Sequence, residues 1–140
     1  MRPLMTITLL ALLVFTSSAA LAGIAVVVNK ANPIHQLSDD EVKNIFLGKK
    51  TTWPDGKTIV PVTQEGTARH EQFTDSVLDK TVRQFTIYWK KALFTGTGIA
   101  PKSFKSDAEV SQFINANQFA IGYIDENSLD GSVSKVTLNK

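Results

Sequence analysis

Short apolar runs alternate along this chain with longer segments in which apolar residues recur at helical spacing. Continuous apolar runs of about four to eight residues, rich in β-branched side chains, are typical of buried strands. Such runs predict strands at residues 24–29, 58–63, 119–124 and 133–138. The first run is apolar at nearly every position, a pattern typical of strands that are buried on both faces of a parallel sheet.

Helices are predicted between these strands, where the apolar spacing changes to that of a helix. They begin near Ser38, Thr67, Thr81 and Ser106. Ser38 and Ser106 are followed by Glu41 and Glu109 at the spacing of a capping box. Strands that alternate with helices predict an α/β fold, with a mostly parallel sheet and helices on both of its faces.

Residues 1–22 have the composition of a secretory signal peptide. Arg2 supplies a positive charge, residues 6–15 form an almost unbroken apolar run, and Ala20-Leu21-Ala22 is a typical cleavage sequence. The apolar run is short for a membrane span, and a retained N-terminal anchor is the alternative. We therefore expect cleavage after Ala22, a periplasmic location and one mature domain at residues 23–140.

The composition argues against several classes of function. The sequence contains no Cys and two His, His35 and His70, which lack the spacing of metal ligands. It also lacks a Gly-x-Ser-x-Gly turn for a hydrolase nucleophile. Without Arg2, 14 of the 15 basic residues remain in the mature chain, together with all 13 acidic residues, so its net charge is close to zero. The two kinds of charge are interspersed along the chain. We therefore expect no metal ion or other cofactor and no nucleic-acid binding.

The polar turn that precedes the second predicted helix is the strongest candidate for a binding site. Gly66 and Thr67 open this helix, and Arg69 lies in its first turn. A helix N-terminus offers unpaired N–H groups and a partial positive charge, and a hydroxyl and a guanidinium add further donors for phosphate or carboxylate. We expect an anion site at Gly66, Thr67, Ala68 and Arg69, with His70 as an additional contact. The alternative is that Thr67 is only an N-cap and Arg69 a solvated surface residue.

An ordered series of short motifs extends over nearly the whole mature chain. The series comprises VVVNKANP at 26–33, IFLGK at 45–49, TWPDG at 52–56, EGT at 65–67, FTG at 94–96 and AIGY at 120–123. In this order the motifs resemble the phosphate-binding periplasmic solute-binding proteins of ABC importers, and in particular their short single-lobe relatives. The resemblance implies a periplasmic-binding-protein fold, phosphate or a similar oxyanion as ligand, and no catalysis.

The resemblance also implies a role for the polar turn. In two-lobed relatives this turn commonly reads Ser-Gly-Thr and then often Arg, with a Phe four residues past the Thr. Counted back from Phe73, these positions fall on Thr67, Ala68, Arg69 and His70. Thr67 keeps the hydroxyl, whereas Ala68 and Arg69 depart from the pattern. Arg69 places a fixed positive charge one position earlier than in the relatives.

Two functions follow as expectations from these residues and the resemblance. The first is a periplasmic solute-binding-like lobe that binds phosphate or a related oxyanion and is linked to ABC-type phosphate transport, with an ABC importer as a partner. The second is an accessory lobe of the cell envelope that has lost its free ligand and acts by protein–protein association. The loops at 29–36, 64–68 and 95–102 are then expected to face a larger envelope protein or a second copy in a homodimer.

Overall fold

The computed structural model describes residues 23–140, and the predicted signal peptide lies outside the described residues. The strands are β1 (Ile24–Val28), β2 (Gln36–Ser38), β3 (Val60–Thr63), β4 (Lys102–Ser103), β5 (Ala120–Asp125), β6 (Ser134–Lys135) and β7 (Thr137–Asn139). The helices are α1 (Asp39–Phe46), α2 (Ala68–Ser76), α3 (Val82–Phe94) and α4 (Asp107–Ala116), with a single 3-10 turn at Glu126–Ser128. Among these helices, none has the length and apolar character needed to cross a membrane.

The central sheet has the strand order β4-β3-β5-β1-β6. β3 runs parallel to both β4 and β5, whereas β1 runs antiparallel to both β5 and β6. Four strands of this sheet therefore share one direction, which confirms a mostly parallel sheet. The parallel pairing expected for β1 itself is wrong. Residues 25–28 are all buried, and burial on both faces produces the same apolar run whichever way the strand points.

The strand predicted at 133–138 is two short strands in different sheets. β6 pairs with β1, and β7 pairs in parallel with β2 to form a separate two-stranded sheet. Val136 lies between them, is 1% exposed, and donates its N–H to the carbonyl of Val26 at 2.8 Å. The sequence predicts no strand at β2 or β4, because strands of two or three residues are too short for a recognisable apolar pattern.

One of the two predicted capping boxes is complete in the structure, and the other is only half formed. At α1, the Ser38 hydroxyl accepts the Glu41 N–H at 3.1 Å, and the Glu41 carboxylate accepts the Ser38 N–H at 2.8 Å. At α4, the Ser106 hydroxyl accepts the Glu109 N–H at 3.2 Å, but the Glu109 carboxylate accepts the Lys105 N–H instead. The first capping box is therefore confirmed, and the second keeps only its serine half.

Helices cover both faces of the sheet, as predicted. On one face, Phe46 of α1, Phe73 of α2 and Phe85 of α3 belong to a buried cluster with residues of β1 and β5. On the other face, α4 contributes to a second cluster that includes Val62 of β3. α4 packs so closely at Gly122 that an added Cβ would lie 2.8 Å from Val62 and 3.0 Å from α4 side chains. The α2 cluster is the one that positions the predicted anion site.

Candidate functional site

The predicted anion site is a tight turn between the end of β3 and the start of α2. Gly66 has a φ of +81°, a left-handed conformation that favours glycine. Thr67 is the N-cap of α2, because its hydroxyl accepts the His70 N–H at 3.3 Å and donates to the Gln64 carbonyl at 2.7 Å. The hydroxyl is therefore engaged inside the turn. The N–H groups of Ala68 and Arg69, at the first two helical positions, have no acceptor within the helix.

Arg69 forms an ion pair, so it is not a free surface residue. Its Nη2 lies 2.8 Å from Oδ2 of Asp125, and its Nη1 donates to the side chain of Gln72. The Arg69 side chain is 32% exposed and that of Asp125 is 12% exposed. The other oxygen of Asp125 accepts the Asn127 N–H at 2.8 Å. These contacts fix the guanidinium beside the end of β5 while leaving part of it open to solvent.

His70 is buried directly behind the turn. It is 1% exposed, and its Nδ1 lies 2.6 Å from the Tyr123 hydroxyl, which also accepts the Gln64 N–H at 2.9 Å. Burial lowers the pKa of His70, so the ring is neutral at neutral pH. Since the Tyr123 oxygen already accepts one hydrogen bond, its own proton is best donated to Nδ1. The His70 proton then resides on Nε2, a buried atom without a hydrogen-bond partner in the described residues.

A buried polar network anchors the turn to elements that are distant in the sequence. The Gln64 amide donates to Asp107 Oδ1 at 2.7 Å and to the Tyr123 carbonyl at 2.9 Å. Asp107, the first residue of α4, also accepts the Ser128 hydroxyl at 2.7 Å. Burial raises the pKa of Tyr123, so its hydroxyl stays neutral at physiological pH. Gln64 Oε1 and His70 Nε2 have no hydrogen-bond partner in the described residues, but the remaining bonds of the network hold the backbone of the turn in place before any ligand arrives.

The structure brings four of the five predicted site residues to one hollow of about 360 Å³. Gly66, Thr67, Ala68 and His70 line it, together with Glu71 and Val82. Arg69 does not line it, because its side chain extends to Asp125. The hollow therefore offers helix N–H groups as donors and one carboxylate as an acceptor. Elsewhere in residues 23–140, no three His, Cys, Asp or Glu side chains form a group that would hold a metal ion.

Sequence reasoning missed the residues that support this turn from behind. Tyr123, Asp125 and Asp107 contact it across sequence separations of more than 40 residues. A signal was present for Asp125, since it ends the apolar strand β5 and the ends of strands are where polar side chains reach the edge of a sheet. Asp107 is the first residue of α4, and that position gives no local sign of a contact with the turn.

The buried state of His70 predicts how stability depends on pH. Because burial lowers the His70 pKa in the folded protein, the unfolded chain, with a pKa near 6.5, binds the proton more tightly. The free energy of unfolding should therefore be highest above about pH 6.5 and fall by up to about 1.4 kcal/mol per pH unit below it. Urea unfolding at a series of pH values measures this slope.

One substitution isolates the contribution of His70 from that of other titrating groups. His70→Gln should flatten the decrease just below pH 6.5, because it removes the group whose pKa burial lowers. The same slope in the wild type and in His70→Gln would show that His70 does not titrate differently in the folded and unfolded states.

Comparison with known proteins identifies related chains at the level of family and fold. A profile of the PBP superfamily domain matches residues 13–137. A 33-residue segment is 61% identical to phosphate-binding protein PstS 2 of Streptococcus agalactiae, and covers 24% of this chain and 11% of that protein.

Solved structures share the fold. An ABC-type phosphate transport receptor from Vibrio cholerae aligns with a TM-score of 0.61 at 22% identity, over 85% of this chain and 47% of that one. A putative phosphate ABC transporter substrate-binding protein with bound phosphate, from Clostridium perfringens, aligns with a TM-score of 0.64 at 24% identity, over 84% and 45% of the two chains. This chain thus spans about half the length of either structure. Because the family profile covers most of the sequence, this protein belongs to the PBP superfamily.

Proposed function

We propose that this protein is a periplasmic solute-binding-like lobe, formed by residues 23–140 after removal of residues 1–22, that binds phosphate or a related oxyanion and takes part in ABC-type phosphate transport. The observation that carries the proposal is the hollow at the N-terminus of α2, which Gly66, Thr67, Ala68 and His70 line together. The names of the related proteins support phosphate as the anion. The proposed role is binding without catalysis.

The donors of the proposed site are backbone N–H groups. Those of Ala68 and Arg69 have no acceptor within α2 and lie at the positive end of the helix dipole. Successive N–H groups at a helix N-terminus form an anion site without any side chain. The partly exposed guanidinium of Arg69 lies on the same turn, although Asp125 compensates its charge. An oxyanion with several oxygens matches this arrangement.

Glu71 favours an anion that carries a proton. Its carboxylate lines the same hollow and accepts hydrogen bonds but cannot donate them when ionised. Phosphate near neutral pH keeps at least one P–OH group and can donate to Glu71, whereas sulfate has no proton to donate and is repelled. The proposed site is therefore expected to prefer phosphate to sulfate.

The proposed site should bind weakly. Phosphate has five heavy atoms, so a ceiling of about −1.5 kcal/mol per atom limits the binding free energy to about −7.5 kcal/mol, or a Kd of a few micromolar. Gly66 and Ala68 are exposed, so solvent keeps access to one side of a bound anion. We therefore expect a Kd of about 1 mM.

Phosphate should raise the melting temperature of the purified protein. With a Kd of about 1 mM, about 100 mM phosphate adds roughly 2.7 kcal/mol to the free energy of unfolding. For a domain of this size this corresponds to a rise in Tm of roughly 10 °C. Thermal unfolding is followed by circular dichroism at pH 7.5 in phosphate, sulfate and chloride of equal ionic strength. An equal rise in all three salts would argue against a specific site and in favour of the accessory-lobe alternative.

Ala68→Pro is a matched control for the same experiment. Proline suits the first position of a helix, and Thr67 already has the extended conformation that a residue before proline requires. The substitution therefore removes one N–H donor while keeping α2. The Tm in chloride should stay the same or rise slightly, and the rise caused by phosphate should be largely lost. A full response to phosphate in Ala68→Pro would exclude this N–H group from the site.

A further inference from the structure

Three of the four large apolar side chains that are exposed in residues 23–140 belong to the end of α3 and the loop after it. Phe94 is 93% exposed, Ile99 is 91% exposed and Leu93 is 55% exposed. We call residues 93–102 the α3–β4 patch. The loop is not a frayed end, because Thr97 donates its N–H to the Ala92 carbonyl at 2.9 Å and so folds back onto the helix. Ordered and exposed apolar groups of this kind mark interaction sites.

An apolar hollow of about 540 Å³ adjoins this patch. Its walls are mainly Ile45, Ile59, Pro61, Ile99, Pro101 and Phe113, and two cationic side chains, Lys50 and Lys102, also line it. A concave apolar site of this size holds large apolar side chains of a binding partner. Ile99 belongs both to the exposed patch and to the wall of the hollow, so the two form one surface.

Basic residues without acidic neighbours in the sequence flank this surface, although the whole chain is nearly neutral. Residues 90–106 contain four basic residues, Lys90, Lys91, Lys102 and Lys105, and no acidic residue. Outside them, residues 23–89 and 107–140 contain ten basic and 13 acidic residues. Of the four lysines, Lys102 lies 5.3 Å above the Phe104 ring, and none forms an ion pair within the described residues. The surface is therefore complementary to a partner that carries negative charge.

The same charge argues against a second copy of this chain as the occupant. A symmetric dimer through the α3–β4 patch would bring Lys90, Lys91 and Lys102 of one protomer close to the same lysines of the other. Like charges opposed across an interface cost several kcal/mol. A membrane surface fits less well, because the hollow accepts inserted side chains and a bilayer offers none.

The sheet edge beside the hollow favours an extended partner. β4 is the outer strand of the central sheet, with β3 as its neighbour, and Lys102 of β4 lines the hollow. An edge strand presents backbone groups that pair with an added extended segment. Every second side chain of such a segment would face the hollow, and the side chains between them would face the surrounding lysines.

We propose that the α3–β4 patch binds an extended, acidic segment of a partner protein. One of its apolar side chains occupies the hollow beside Ile99, and its carboxylates face Lys90, Lys91 and Lys102. This interaction is independent of anion binding at the start of α2, since the two surfaces share no residue.

A peptide of alternating Glu and Leu residues, labelled with a fluorophore, is the probe. Fluorescence anisotropy with the purified protein should show saturable binding that weakens about tenfold or more between about 50 and 500 mM NaCl. A peptide with Lys in place of Glu should not bind. The double variant Phe94→Ser/Ile99→Ser should lose about tenfold or more in affinity. Its Tm should stay close to that of the wild type, because both side chains are exposed.

Ile87→Ser is the matched control, because Ile87 is 40% exposed on α3 and does not line the hollow. It should bind the peptide like the wild type. No binding of the acidic peptide, or the same affinity in the double variant, would overturn the proposal. Binding to vesicles that contain anionic phosphatidylglycerol, but not to the peptide, would instead assign the patch to a lipid surface. A dimer in light scattering that the double variant abolishes would assign it to self-association.

Discussion

Replacing Phe73 with alanine should lower the free energy of unfolding by about 3–5 kcal/mol. Phe73 is 0% exposed, and its ring stacks on Tyr123 with ring centres 3.9 Å apart. It also meets the Phe46 ring edge-on at 4.8 Å. Truncation would remove these contacts and leave a cavity between α2 and the sheet, where neighbouring rings cannot fully collapse. Urea unfolding followed by circular dichroism measures the loss.

Phe94→Ala is the matched control for this prediction. The same side chain is removed, but Phe94 is 93% exposed, so the free energy of unfolding should change by less than about 0.5 kcal/mol. A loss below about 1 kcal/mol in Phe73→Ala would contradict the structural role assigned to this ring. Because Phe73 anchors α2 against Tyr123, its loss should also weaken the phosphate response of the turn at temperatures where the variant remains folded.

The helix starts could be predicted from the sequence because their signals are local. Ser38, Thr67, Thr81 and Ser106 all cap helices, at the predicted positions. A cap needs only a hydroxyl and an N–H group three residues later, so a short stretch of sequence contains the complete signal. The second capping box, of which only the serine half forms, shows that such a local signal can still fail. The carboxylate of Glu109 accepts the N–H of Lys105, one residue before the N-cap.

Strand direction and pairing could not be predicted in the same way. The partners of β1 are β5 and β6, about 100 residues further along the chain. An apolar run reports that a strand is buried, and the direction of its neighbours does not alter that pattern. The separation of β6 from β7 likewise depends on Val136, which turns inward between two sheets. Such features follow from tertiary packing and leave little trace in local sequence.

Only the turn itself could be predicted from the sequence, and not the residues that support it. The turn residues Gly66–His70 could be identified because they are consecutive and adjoin a helix start. Their supports, Tyr123 and Asp125, are more than 50 residues away, and no spacing rule relates them to the turn. As a result, the sequence predicted Arg69 as a free donor, whereas the structure pairs it with Asp125. The role of Arg69 therefore needs an experiment that separates binding from folding.

Arg69→Ala should weaken phosphate binding by about 2 kcal/mol, which is roughly 30-fold in Kd, if the guanidinium contacts the anion. It should also lower the free energy of unfolding by about 1–3 kcal/mol, because Asp125 is only 12% exposed and would lose its cationic partner. If Arg69 were a solvated surface residue, its replacement would change the free energy of unfolding very little. Phosphate titration followed by NMR of the backbone amides, combined with urea unfolding, measures both effects in one protein.

Asp125→Asn tests the same ion pair from the other side. The amide keeps the size of the side chain and the carbonyl that accepts the Asn127 N–H, but it releases the guanidinium of Arg69 from its countercharge. If Arg69 contacts phosphate, Asp125→Asn should bind the anion as tightly as the wild type or more tightly, while Arg69→Ala binds more weakly. If the pair is only structural, both variants should lose stability and neither should change the affinity. Opposite effects on affinity at the two ends of one ion pair would show that the charge of Arg69 acts on the anion, because a loss of fold support alone would weaken binding in both variants.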